Sequence, residues 1–274
     1  MTEQEFKRLQ EAQIEIMDEV HRLCEENGIE YYLIAGSALG AVRHGGFIPW
    51  DFDIDVGMRR AEYERFREVC LAGLSERFIY RDFRNTPQYS CPHALVCIKN
   101  TYLATCFDKF NPGLENYGIS IDIFPLDAAP SAPDLREAQE REILAVKARH
   151  AHKLAYLYDA KRIKGFVKKM RGRLMFWTTL DKINAEYDRV LRRYDGQAEE
   201  YLGSFTSPYR YAKECMPAAV YGKPIPASFE GRTYYIPEQA HAYLTQMYGN
   251  YMELPPIEKR EENRAYMEKA VFDR

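Results

Sequence analysis

Three aspartates at alternate positions, Asp51, Asp53 and Asp55, carry the spacing in this chain that points most directly to chemistry. In an extended strand they share one face, and Phe52, Ile54 and Val56 share the other. Carboxylates crowded on one side of an apolar strand repel one another unless a cation sits among them, and oxygen ligands at this density suit Mg²⁺ or Mn²⁺. A second feature lies just upstream. Gly36 and Ser37 follow the apolar run Tyr31 to Ala35 and open a short helical stretch from Ala38 to Arg43. Unpaired N–H groups at such a helix start carry partial positive charge and suit a phosphate. An isolated Asp-x-Asp is more often a solvated surface strand beside an ordinary turn. A phosphate cradle and an acidic strand within one β-turn-helix-β unit instead predict phosphoryl or nucleotidyl transfer at a metal.

Other candidates surround these two. Arg43 and His44 flank the helical stretch, placed either to pair with a phosphate or to cap the helix. Lys99, at a predicted strand end, is a weaker phosphate candidate. In Gly118 to Asp127, Ile119, Ile121 and Ile123 alternate with Ser120 and Asp122, which puts Asp122 on the polar face of a strand. Pattern alone leaves it equally an exposed strand carboxylate. Asp127, after the Pro125 turn, reads as a helix-entry or loop residue. His150 and His152 are two apart on a predicted helix, so they share no face and make a poor metal pair.

The run GSALGAVRHGGFIPWDFDIDVGM resembles the central motif of the LicD family. These are bacterial phosphotransferases that decorate surface glycans with phosphocholine, and the fukutin-related proteins are grouped with them. Gly36-Ser37 followed by Phe52-Asp53-Ile54-Asp55-Val56 is similar to the wider nucleotidyltransferase superfamily signature. IDIFPLD and the tail from Tyr248 to Pro256 also resemble family segments. The likeness covers most of the chain and is weakest in its basic middle.

The resemblance implies an α+β fold, a nucleotidyltransferase-like mixed sheet flanked by helices with a helical extension. It implies Asp53 and Asp55 as metal ligands and Gly36 and Ser37 as contacts to donor phosphate. Asp122 would complete the metal site and help deprotonate the attacking hydroxyl. The implied donor is a CDP-alcohol such as CDP-choline, and CMP leaves. The implied acceptor is a sugar hydroxyl of a surface glycan or teichoic-acid precursor, which a lipid carrier can present. Two departures stand out. Family members often read WDDDID where this chain has Phe52, which the strand reading turns away from the acids. The gap from Ser37 to Asp53 is also slightly longer than in the superfamily pattern, which leaves Asp51 as a competing metal ligand.

Elements must hold these residues in place. Glu5 to Asn27 reads as an amphipathic helix ended by Gly28, and Arg59 to Gly73 as a second. Asp51 to Val56, Phe78 to Arg84, Ala94 to Lys99 and Tyr102 to Phe107 read as strands, the last two joined in a hairpin at Asn100-Thr101. From Pro133 onward the chain is largely helical. The predicted organisation is a catalytic core over residues 1–130, a basic helical region over 131–200, and a C-terminal segment over 201–274 packed on the core.

Between Lys147 and Arg173 there are ten Lys/Arg residues and one acid, Asp159, with Ile163, Phe166, Val167, Met170, Leu174 and Trp177 at helical spacing. Such a stretch is either a solvated face over an ordinary core stripe or a surface for an anionic membrane. A net charge of −3 argues against general nucleic-acid binding. No long apolar run or signal-peptide start is present, so the expected location is cytoplasmic, with peripheral contact at the inner membrane face. Six cysteines without metal spacing read as reduced core thiols. A choline group would need an aromatic box. The 21 Tyr do not identify one, and Trp50 reads as a core residue. Two other functions fit this scaffold: a nucleotidyltransferase that moves NMP to a small-molecule hydroxyl and releases pyrophosphate, and a non-catalytic binding protein.

Overall fold

The computed structural model describes residues 1–105, 116–157, 163–197, 199–264 and 267–272. Thr2 begins helix α1 (Glu3–Asn27) with a reciprocal cap. Its Oγ1 accepts from the Glu5 N–H at 3.2 Å, and the Glu5 carboxylate accepts from the Thr2 N–H at 2.8 Å. Gly28, at φ 58°, ends the helix in the left-handed conformation open to glycine. Strand β1 (Tyr32–Leu33), helix α2 (Ala35–His44), strand β2 (Asp55–Arg59) and helix α3 (Arg60–Gly73) follow. Next come β3 (Phe78–Arg81), β4 (Ala94–Ile98), β5 (Tyr102–Thr105) and β6 (Ser120–Ala129). Helices α4 (Pro133–Leu157), α5 (Ile163–Arg173) and α6 (Leu180–Leu191) form the middle. The last third holds β7 (Tyr201–Gly203), α7 (Tyr211–Glu214), β8 (Met216–Pro217), α8 (Ala218–Tyr221), β9 (Ile225–Phe229) and β10 (Arg232–Ile236). Helices α9 (Ala240–Tyr248) and α10 (Ile257–Arg264) and strand β11 (Met267–Val271) complete it.

The chain is a mixed α+β protein. Its main sheet runs β1-β2-β6-β4-β3, with β6 in the middle. β2 and β6 are parallel, and the other pairs are antiparallel. β6 outruns β2, and its end pairs with β7, which pairs with β8. That central place matches its sequence, since Ile121 and Ile123 are buried on one face and Phe124 and Leu126 in a second cluster. The first core joins the stripe of α1 (Leu9, Ile16, Val20) to Phe66 of α3 and to Phe229 and Tyr234 of the β9–β10 pair. In the second, Tyr221, Tyr243 and Met247 pack on Tyr32, Leu39 and Leu126. The C-terminal segment thus packs on the core. No helix among the described residues is long and apolar enough to cross a membrane.

Three local expectations need correction. The acidic strand starts only at Asp55, because Asp51 closes a turn onto the Ile48 carbonyl and its own carboxylate accepts from the Phe52 N–H. β4 and β5 form no hairpin. Asn100 takes φ 60° and Thr101 Oγ1 bridges the Ile98 carbonyl and the Ile119 N–H, so the chain leaves the sheet and β5 pairs with β11. Residues 106 and 107 of the predicted strand lie outside the described residues, as does Cys106; the other five cysteines are thiols that form no disulfide. Finally, Asp127 is neither helix entry nor loop. It is fully buried in β6, and its carboxylate accepts from Arg60 Nε at 2.7 Å and Nη2 at 2.9 Å. Removing either partner would strand a buried charge, at a cost of about 3–5 kcal/mol.

Candidate active site

Parallel pairing brings the acids together. Asp55 of β2 and Asp122 of β6 are register partners, so their side chains leave the sheet on the same face. The Ile54 carbonyl accepts from the Asp122 N–H at 2.9 Å, which extends this registry one residue toward Asp53. Asp51 and Asp53 sit on the irregular segment before β2, tied down by Gln10 of α1, whose Nε2 donates to the Asp51 carbonyl at 2.9 Å. With Asp55 they line a cavity of about 320 Å³ walled by Trp50, Phe52, Tyr209 and Tyr248. Phe52 lines this cavity and also packs against the first core, since its segment is not a regular strand. Trp50 lines the cavity and packs against the second core as well.

Electrostatics follow from this crowding. Burial, then the carboxylates of Asp51, Asp55 and Asp122, hold Asp53 well above the usual carboxylate range. Burial and then Asp122, Asp51 and Glu214 do the same to Asp55. Asp51 is raised by burial and shares a hydrogen bond with Asp53. Among the described residues, no three His, Cys, Asp or Glu side chains are already arranged to hold a metal ion. The donor set nonetheless fits a hard divalent cation: several half-buried carboxylates drawn together at one end of the sheet.

The start of α2 differs in use from the cradle expected. A hydrogen bond from the Gly36 backbone lowers Asp55, opposing part of the burial effect. Ser37 Oγ, buried, accepts from the Asp55 N–H at 2.8 Å. Helix start and acidic strand are thus clamped together. A Cβ at Gly36 would lie 2.7 Å from Asp51 Oδ2, so any larger residue would displace that carboxylate. Ala35, at φ 46°, is held by its N–H donating to Tyr243 Oη at 2.9 Å.

Arg43 caps nothing. Its Nη1 donates to the Tyr251 carbonyl at 2.6 Å and its Nε to His44 Nε2 at 3.0 Å. Burial and the neighbouring Arg260 lower the Arg43 guanidinium, and Arg260 itself lies 5.2 Å over the Trp50 ring. Arg43 and Arg260 therefore form a cationic rim beside the acidic cavity, and His44, lowered by burial and then by Arg43, sits within it as a neutral acceptor. Lys99 does not join it. It sits exposed at the far end of β4, four residues or ~14 Å along the strand from Leu95, the neighbour of Asp122.

His93, which pattern reading missed, touches Asp122: Nε2 and Oδ2 are 3.2 Å apart. Its ring packs on Phe124 at 4.2 Å, and its buried Nδ1 has no protein partner. Beside it Asn184 Oδ1 is also unpartnered, and the two residues line an enclosed space of about 20 Å³, room for one water.

Residues 28–99 match the model of the LicD/FKTN/FKRP nucleotidyltransferase domain. The lipopolysaccharide cholinephosphotransferase LicD of Haemophilus influenzae is 30% identical over 247 residues, 89% of this chain and 90% of that protein. The chain belongs to the LicD family. It is an enzyme of the LicD phosphotransferase type. Ribitol 5-phosphate transferase FKRP of Homo sapiens is 56% identical over 36 residues, 13% of this chain and 7% of that protein. In this LicD-family site, Asp51, Asp53, Asp55 and Asp122 come together. His93, Tyr209, Tyr248 and Arg260 join them from segments with no recognisable spacing in sequence.

Proposed function

We propose that this enzyme transfers a phospho-alcohol, phosphocholine from CDP-choline, to a hydroxyl of a cell-surface glycan and releases CMP. The observation that carries the reading is a cavity that joins a half-buried acid cluster to aromatic walls. The relatives add support: one is named for cholinephosphate transfer to lipopolysaccharide, another for ribitol 5-phosphate transfer.

Each part has a role. Asp53 and Asp55, with Asp122 and Asp51 beside them, would hold Mg²⁺ or Mn²⁺, which when bound neutralises charge on the phosphates. Asp122 accepts the proton of the acceptor hydroxyl, and His93 fixes its orientation. The cationic rim of Arg43 and Arg260, with neutral His44 beside it, takes the second phosphate of the donor, the one that leaves on CMP. Tyr209 and Tyr248, hydroxyl to hydroxyl at 3.3 Å, attract cations through their rings: Lys213 Nζ lies 5.4 and 5.9 Å from their centroids. A quaternary ammonium suits the same aromatic wall.

The test is incubation with a panel of CDP-alcohols and a glycan library, with and without Mg²⁺ or Mn²⁺, read by mass spectrometry. CMP and a phosphocholine-bearing glycan are expected. Pyrophosphate as the released product would replace this reading with nucleotidyl transfer, and no turnover of any donor would overturn both.

A further inference from the structure

Helix α5 is mounted with its apolar stripe outward. It packs against α4 through Gly172, where a Cβ would lie 2.2 Å from the His152 carbonyl oxygen and 2.7 Å from Tyr156 Cβ. So close an approach fixes which side of α5 faces the protein. Phe166, Val167 and Met170, then Leu174, Phe176 and Trp177 just beyond the helix, lie on the other side. Phe166 is 60% exposed, Leu174 and Phe176 70%, and Trp177 66%. The sequence left open whether this stripe covers a core. It does not.

An exposed apolar cluster of this size marks an interaction surface, and its charge selects the partner. α5 carries five Lys and Arg residues and no acid, in a protein whose net charge is −3. Lys168, Arg171 and Arg173 stand exposed among the apolar side chains. A second copy or another protein would bury these like charges at the centre of an interface, where charge is disfavoured. A bilayer surface accommodates both features. Anionic head groups take the cations, while Phe and Trp rings settle at the level of the acyl boundary. We propose that α5 and the turn from Leu174 to Trp177 form a docking face for anionic phospholipid membrane.

The face is linked to the catalytic cavity. Lys147, about 14 Å along α4 from Tyr156, donates from Nζ to the Ser207 carbonyl at 2.7 Å, two residues before the cavity residue Tyr209. Docking would therefore hold the cavity at a set height above the bilayer, where a lipid-linked acceptor is presented.

Flotation with vesicles tests this without any donor, so the result stands apart from the transferase reading. The full chain is mixed with phosphatidylcholine vesicles, or with an equal mixture of phosphatidylcholine and phosphatidylglycerol, at low and high salt. Partitioning into anionic vesicles at low salt is expected, at least about tenfold above that into neutral ones, with Trp177 emission moving to shorter wavelength. Lys168→Gln/Arg171→Gln/Arg173→Gln should lose about tenfold of it. Phe176→Ser/Trp177→Ser should keep weak binding only at low salt. These side chains are exposed, so unchanged melting curves will show that both variants fold. No wild-type binding at low salt, or binding by both variants equal to that of the wild type, overturns the proposal. So does a wild type that dimerises with concentration while the serine variant stays monomeric, which assigns the face to a second copy.

Discussion

Asp55 and Asp122 occupy the same register position on neighbouring parallel strands, and burial, then the Asp122 carboxylate that this pairing sets beside it, raises the proton affinity of Asp55. A one-residue slip of β6 would send Asp122 to the opposite face of the sheet. Asp53→Asn, Asp55→Asn and Asp122→Asn should each lower kcat about 10²-fold or more. Asp51→Asn should cost only about tenfold, as for a residue that supports a ligand, since an amide can still bond to Asp53. Equal losses in steady-state kinetics at all four positions would make Asp51 a ligand in its own right.

Removing one charge from the cluster should stabilise the metal-free protein. Asp53→Asn relieves repulsion from Asp51, Asp55 and Asp122, so its Tm without divalent ions should exceed that of the wild type. Mn²⁺ should reverse the order, by raising the wild-type Tm and leaving the variant nearly unmoved. Thermal melts with and without Mn²⁺ decide it. A wild type indifferent to Mn²⁺ and Mg²⁺ would count against the metal assignment.

His93 acts through Asp122. His93→Leu should reduce kcat about 10- to 100-fold with little change in the donor KM. His93→Gln, which keeps a donor near the Nε2 position, should recover most of the activity. If Gln fares no better than Leu, the imidazole is there for packing on Phe124.

Arg260→Gln should raise the donor KM about tenfold, as expected for loss of one charge-assisted phosphate contact, and leave kcat nearly unchanged. An unaltered KM would remove Arg260 from the donor site.

Glu214 provides a pH test. Burial pushes its carboxyl up to about 7 from an ordinary value of 4.5, although Ser207 and Lys147 pull the other way. A folded value above the unfolded one means that the neutral acid favours the fold. That contribution is complete below about 4.5 and disappears as pH rises through about 7. Glu214→Gln cannot ionise, so its Tm should gain on the wild type as pH rises across this window. Parallel melting profiles would show that Glu214 is already ionised in the folded protein.

Much of this was legible in sequence because it is periodic or contiguous. The stripe of α1, the isoleucine alternation around Asp122 and the Asp51/Asp53/Asp55 run announce themselves through side-chain period. What failed depends on contacts between distant segments. His93 precedes β4 with no pattern of its own, and only the β4–β6 pairing sets it beside Asp122. Tyr209, Tyr248 and Arg260 meet the acids only because the C-terminal elements fold back over α2. For α5, spacing fixed the stripe but not its direction, which the Gly172 contact decides. Asp51 to Ile54 alternates like a strand yet is not one, because Asp51 satisfies a backbone N–H locally and so competes with the sheet.

The bond from the Ala35 N–H to Tyr243 Oη, and that from Arg43 to the Tyr251 carbonyl, give the protein a clock as well as a shape. Both ends of α2 are fastened by residues made some two hundred positions later. While the chain is still being synthesised, the acids and the helix beside them can emerge, but nothing yet holds Ala35 in its left-handed conformation or Arg43 in its place. The enzyme thus completes the surroundings of its acid cluster only as its last portion docks, and a truncated product would carry the acidic motif without the segments that fasten α2 beside it.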